Sequence, residues 1–213
     1  MRSITFDEYL AASGLDVQKL KLLRRRDQIA GAFGRRECWK GLGFIELDCV
    51  APMLVDALAS VFVKEFAAQL VRVHADQWSI AVAKADAEPE APVFFTIVEF
   101  LNPGGKRHHV ACLTTTDDPY QIVTDASKAT GQPAVRSVAV NIRGVLEDVR
   151  RNARRAKIDF KAPFLPAPGP ELDALLAPYV EERDKAIDIA VKARRAGIKA
   201  RALVEASIPE RLQ

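Results

Sequence analysis

No long apolar run, no paired cysteine motif and no large excess of either charge appears in this 213-residue chain. Each absence removes a class of protein. Without a window approaching 18 uninterrupted apolar residues, no membrane span is expected. The N-terminal MRSITFDEYL also lacks the apolar stretch of a secretory leader. Three cysteines, Cys38, Cys49 and Cys112, are odd in number and far apart, with no CxxC pair, so they form neither a disulfide framework nor a zinc cluster. A reducing cytoplasm suits them best. The glycine and histidine spacings of nucleotide-binding loops and zinc proteases are missing as well, and no internal repeat is present. Against 31 basic residues stand 28 acidic ones, a net charge of only +3, so the chain is no bulk polycation. Any nucleic-acid footprint has to come from where its charges lie.

What is present is enough apolar material for a core, 49% of residues, in a length suited to a small domain plus a larger one. The first 30 residues are dense in signals. Thr5 and Glu8 have the spacing of a capping box, and Phe6, Tyr9 and Leu10 supply apolar contacts. Gly14 can end the helix by taking positive φ, and Asp16 can cap a second helix. Val17, Leu20 and Leu23 make that helix's buried stripe, with Gln18, Lys19, Lys21 and Arg25 off it. The expected unit is helix, tight glycine turn, helix.

The following stretch, AGAFGRRECWKGLGFIEL, places Arg35, Arg36 and Lys40 among glycines and before Phe44, Ile45 and Leu47. A basic ribbon after two such helices has the layout of a winged helix, whose helix enters the major groove while wing cations meet the backbone. Residues 17 to 46 hold eight basic residues against three acidic ones, an excess of five, which is larger than that of the whole chain.

FDEYLAASGLDVQKLKLL resembles the N-terminal winged-helix domain of the MerR family over about residues 4 to 70. Gly14 matches the family's turn glycine, Val17 and Leu20 match its helix anchors, and Lys21 takes the place of a frequent arginine. Gln18 stands where arginine is common, and Leu22-Leu23 replaces an aromatic pair. The phosphate contact of an aromatic hydroxyl is therefore lost unless Arg24 or Arg25 substitutes. The family's metal-binding cysteine pattern is absent, so a metal sensor is not expected.

Downstream, Leu54, Leu58, Phe62, Phe66 and Leu70 repeat at i+4 and predict one long helix starting near Pro52. QWSIAVA, VFFTIVEF, HHVACLTTT, QIVT and VRSVAVN read as strands of a small antiparallel sheet over about residues 77 to 141. Asn141 is placed to cap a helix with Ile142, Val145, Leu146, Val149, Ala153 and Ala156 inward. Arg143, Arg150, Arg151, Arg154, Arg155 and Lys157 crowd its remainder, a second basic patch that either extends a footprint, contacts another subunit or is simply solvated. Prolines 163, 166, 168 and 170 predict a stiff linker, and Leu172, Leu175, Leu176, Tyr179, Val180 and Ile187 a helix covering apolar surface, in a second copy or in the same chain. Gly197 interrupts it, before a short helix through Ile198, Leu203 and Val204.

No catalytic constellation stands out. His108 and Cys112 share a strand face but lack a third ligand, and Asp117 and Asp118 read as part of a turn.

The expected fold is α+β: a winged helix with a connecting helix over residues 1 to 72, a small α+β regulatory or assembly unit over 73 to 160, and a proline-rich linker with a C-terminal helical segment for dimerisation over 161 to 213. The expected function is a cytoplasmic, homodimeric, sequence-specific transcriptional regulator binding double-stranded DNA through Gln18, Lys19, Lys21, Arg24, Arg25, Arg35, Arg36 and Lys40. No cofactor and no metal is expected, and the sheet leaves room for a small-molecule effector. The alternatives are a non-catalytic assembly protein with a vestigial winged helix, and an enzyme modifying small molecules through its central unit.

Overall fold

The computed structural model of the protein describes residues 2–34, 43–101, 104–160 and 163–195. It is an α+β fold in which two small antiparallel sheets are set among helices.

Strand β1 (Ser3–Ile4) leads into α1 (Phe6–Ser13). The expected capping box forms: the Glu8 amide donates to Thr5 Oγ1 at 3.2 Å, and the Thr5 amide donates to Glu8 Oε2 at 2.7 Å. Gly14 turns the chain at φ 66°, in the left-handed region that favours glycine. Asp16 then accepts from the Lys19 amide at 2.7 Å and starts α2 (Val17–Arg25). Strand β2 (Phe44–Ile45) pairs antiparallel with β1, bringing Phe44 onto Tyr9 with ring centroids 4.5 Å apart.

The expected single helix over the i+4 stripe is two helices, α3 (Val50–Leu58) and α4 (Lys64–Val73). Ser60 Oγ donates to the Ala57 carbonyl, using a helix-end acceptor, and Val63 is extended at φ −61°, ψ 140°. The β-branched pair Val61 and Val63 disfavours continuation. Phe62 still turns inward, so the stripe survives as packing although the helix does not.

A second correction concerns QWSIAVA, which lies in α5 (Ala75–Ala87) and not in a strand. Trp78, Ala81, Val82 and Ala85 are buried at three- and four-residue spacing, and Trp78 Nε1 donates to the Val71 carbonyl at 2.9 Å. Trp78, Ile80 and Val82 alternate, but Ser79 and Ala81 between them are buried too. A helix enclosed on most sides masks its own period, and alanine is the best helix former.

Strands β3 (Phe94–Leu101) and β4 (Arg107–Thr114) follow, then α6 (Pro119–Thr130) and β5 (Ala134–Asn141). The apolar VFFTIVEF is the central strand as expected, in the order β4-β3-β5 with every pair antiparallel. QIVT, expected as a strand, belongs to α6. The Asp-Pro pair read as a turn is that helix's start: Asp118 accepts from the Tyr120 amide at 2.9 Å, and Pro119 occupies the first turn, where a missing N–H costs nothing. One sheet face carries Phe95 and Ile97 into the main core, while Val98 and Phe100 pack with Ile122 of α6 on the other.

Asn141 caps α7 (Ile142–Arg155) through the Gly144 amide at 3.2 Å. Its stripe of Ile142, Val145, Leu146, Val149 and Ala153 is buried as expected, but Ala156 is exposed beyond the last turn. Helix α7 packs on α1, α3 and α5. The proline-rich segment then runs back over the core, burying Phe164 and Leu165, and ends in α8 (Pro170–Arg195). Leu172 and Leu176 are buried within the same chain, Tyr179 stacks on Phe33 at 4.3 Å, and Arg183 reaches Asp76 at 2.5 Å. Leu176 is therefore not available to a second copy. A single buried cluster runs from Ile4 to Leu176. Among the described residues no helix is long and apolar enough to cross a membrane. Ile198, Leu203 and Val204, with Gly197, lie outside them.

Candidate nucleic-acid interface

Helix α2 attaches to the body by two leucines, Leu20 and Leu23, and turns most of its circumference to solvent. Val17, Gln18, Lys21, Leu22 and Arg25 are all exposed, and their spacing places them on one outward stripe. Val17, expected in the buried stripe with Leu20 and Leu23, is instead on the outward side because it opens the helix before the core is reached. Val17 and Leu22 keep 41% and 43% of their surface, a large exposure for apolar side chains on a helix with a core-facing stripe. Lys19 is less available, its ammonium lying 3.8 Å from Asp56 of α3, which Lys64 of α4 also pairs. Arg24 is half-buried, at the edge of the stripe. Arg35, Arg36 and Lys40, expected to form a wing, lie outside the described residues.

Two devices fix the chain that follows α2, and neither was read from the sequence. Beyond the helix Asp27 adopts φ 53°, and Arg72 of α4 donates to both its carboxylate oxygens at 3.2 Å and to the Ile29 carbonyl at 2.7 Å. A guanidinium fork is suited to this double contact, and with the Arg72 side chain 9% exposed it is shielded from solvent. The second device is Asp48, fully buried, which accepts from the Ala32 amide at 2.8 Å and the Ile45 amide at 2.9 Å. One carboxylate thus pins together both ends of the segment expected to form the wing. Asp48 was signalled by a carboxylate in a largely apolar stretch and Asp27 only by closing a run of three arginines, and the partner of each was invisible without the fold.

The other candidates are placed elsewhere. On β4, His108 stacks on Phe100 at 5.2 Å, and Cys112 packs against Val98, Phe100 and Ile122, where burial pushes its thiol up. Asp118 is engaged as a helix cap and Asp117 is exposed. No group of three metal-ligating side chains comes together among the described residues. A polar cluster that the sequence reading missed surrounds Glu99 on the opposite sheet face, with Arg107, His109 and Arg136. Its signal was a carboxylate at an inward position of the apolar strand VFFTIVEF.

Compared with protein-family models and with curated proteins, the chain finds no match.

Proposed function

We propose that this chain is a sequence-specific regulator that binds duplex DNA through α2 and the basic segment after it, in the manner of a MerR-like winged helix. The observation that carries the reading is the outward stripe of α2 following the Gly14 turn. In this reading Gln18 and Lys21 meet base edges in the major groove: an amide suits adenine and an ammonium suits guanine. Leu22 and Val17 are suited to thymine methyl groups, which gives their exposure a use. Lys19 serves the groove margin from its tether on Asp56. Arg24, Arg25, Arg35, Arg36 and Lys40 meet phosphates; Arg24 and Arg25 project from the last turn of α2, whose carbonyl end favours their positive charge. Two copies would read half-sites about one DNA turn apart. Since Leu172 and Leu176 are buried internally, the dimer contact has to use other residues.

The same exposed Val17 and Leu22 favour a second reading, a protein-binding surface on a winged helix that no longer engages DNA. Selection of genomic fragments by the full chain, followed by anisotropy titrations between roughly 50 and 200 mM salt, separates the two. DNA binding predicts an enriched sequence and an affinity that falls steeply with salt. Absence of any salt-sensitive binding leaves the protein-interaction reading.

A further inference from the structure

Glu99 is a carboxylate in an apolar strand, 3% exposed, and a charge so placed requires compensation. Both neighbouring strands supply it. Register puts His109 of β4 and Arg136 of β5 directly opposite, while Arg107 lies two residues along β4 and so on the same face. Arg107 donates to Glu99 Oε1 at 2.7 Å; Arg136 donates to Oε2 at 2.8 Å, where His109 Nε2 also sits at 3.1 Å. Aromatic rings fix these groups further. The imidazole stands edge-on to Phe62 and Phe66, and the Arg136 guanidinium lies over Phe62, 5.1 Å from its centroid. Burial would raise the Glu99 carboxyl, but the hydrogen bond from Arg136 and the charges of Arg136 and Arg107 outweigh it and hold the group ionised.

The compensation exceeds what one carboxylate needs. Two permanent cations meet a single negative charge, and each guanidinium gives Glu99 only one of its N–H groups. Among the described residues their other N–H groups have no hydrogen-bond partner, and the Arg107 and Arg136 side chains remain 65% and 43% exposed. Lys106 is exposed beside Arg107, and Val61 and Val63 flank Phe62 with 47% and 74% exposure. The result is a pair of forked donors, oriented from below by Glu99, with unused capacity facing solvent and apolar side chains nearby.

We propose that Arg107 and Arg136 form an oxyanion site that takes the phosphate or carboxylate of a small molecule, with Glu99 as the positioning residue beneath them. The site is independent of α2 and of the DNA-binding reading. Its test is a titration of the full chain with inorganic phosphate, and separately with citrate, at constant ionic strength, following arginine Nε–Hε signals by NMR. Saturable shifts confined to Arg107, Arg136 and the adjoining strand amides are expected. Arg107→Gln should weaken binding at least ~tenfold, and because His109 and Arg136 remain on Glu99 the fold should persist. Arg107→Lys, which keeps the charge and loses the fork, should weaken it comparably. Shifts that do not saturate, that spread over all arginines, or that survive both substitutions overturn the proposal. A DNA duplex in place of phosphate serves as the control for the source: if DNA moves these signals and neither free anion does, the small-molecule assignment is wrong.

Discussion

Helices α2 and α7 are both short, amphipathic and rich in arginine and lysine, yet the fold uses their cations in opposite ways. On α7, Arg143 donates to the Ala91 and Glu88 carbonyls at 2.7 and 3.0 Å. Arg150 reaches Asp86 at 2.5 Å and lies over the Phe164 ring, and Arg151 pairs with Asp148. The second basic patch expected from the sequence is thus partly internal wiring. Arg154, Arg155 and Lys157 remain exposed at its end. On α2 the balance reverses: Lys19 is tethered to Asp56, while Lys21 and Arg25 have no ion-pair partner among the described residues. Two helices of similar charge differ in what their charge is available for. A basic face marks a ligand surface only after the cations already engaged by the chain have been subtracted.

The largest effect should come from cutting the internal wiring. Asp86 has a side chain 3% exposed and also accepts from the Phe164 amide at 2.9 Å, so it joins α5, α7 and the proline-rich segment. Asp86→Ala removes that acceptor and leaves Arg150 without its counter-charge, an expected loss of about 3 kcal/mol in urea unfolding. If the chain binds DNA as proposed, the affinity of the remaining folded protein should not change.

The outward stripe of α2 should respond in the reverse manner. Arg25→Ala is expected to leave stability within about 0.5 kcal/mol of the parent, while the slope of log affinity against log salt falls by ~1. Lys21→Ala should alter sequence preference at similar stability. If either change destabilises the fold and leaves binding intact, α2 and α7 are alike after all and the contrast fails.

Acid sharpens the comparison at the sheet, where the arginines on Glu99 are half engaged and half free. The folded protein holds the Glu99 carboxyl below its ordinary range, so its contribution is fully present above the unfolded value of ~4.3 and is lost as pH falls toward the folded one. Urea midpoints should decline over that window, and Glu99→Gln, less stable at neutral pH, should lose that part of the decline. The smallest effect is expected at Glu46, buried near the β1–β2 pair with Arg2 only 3.8 Å away. There burial raises the carboxyl more than nearby positive charge lowers it. The stabilising contribution of a raised group is present in acid and lost as pH rises through the folded value. Glu46→Gln should therefore raise Tm by roughly 1–2 °C at neutral pH and by nothing near pH 4.

The parts of the fold legible beforehand share one property. The Thr5–Glu8 box, the Gly14 turn, and the Asp16 and Asn141 caps are each completed within a few residues of where they begin, so a local reading sees both halves of the interaction. Strands β3, β4 and β5 were legible because β-branched and aromatic residues cluster there without helical period. Helix α5 was misread because its buried alanines hide its period, and QIVT because its cap, Asp118, looks in sequence like an ordinary turn residue. Of the candidate site, the outward positions of Gln18, Lys21 and Arg25 on α2 were legible, while the exposure of Val17, the Asp27–Arg72 clamp and the Asp48 pin were not.

Sequence alone settled where most helices begin, that the polar residues Gln18, Lys21 and Arg25 of α2 face away from Leu20 and Leu23, and which strand is central. Tertiary structure alone decided which cations stay available, that Leu176 is covered by its own chain, and that Glu99 gathers Arg107, His109 and Arg136. The physical reason is distance along the chain. A cap or an apolar stripe is settled within one or two helical turns, whereas Arg150 meets Asp86 across 64 residues, Arg72 meets Asp27 across 45, and Arg136 meets Glu99 across 37. Charge attraction carries no information about which distant partner will be near, and only the burial of the apolar stripes brings those partners within reach.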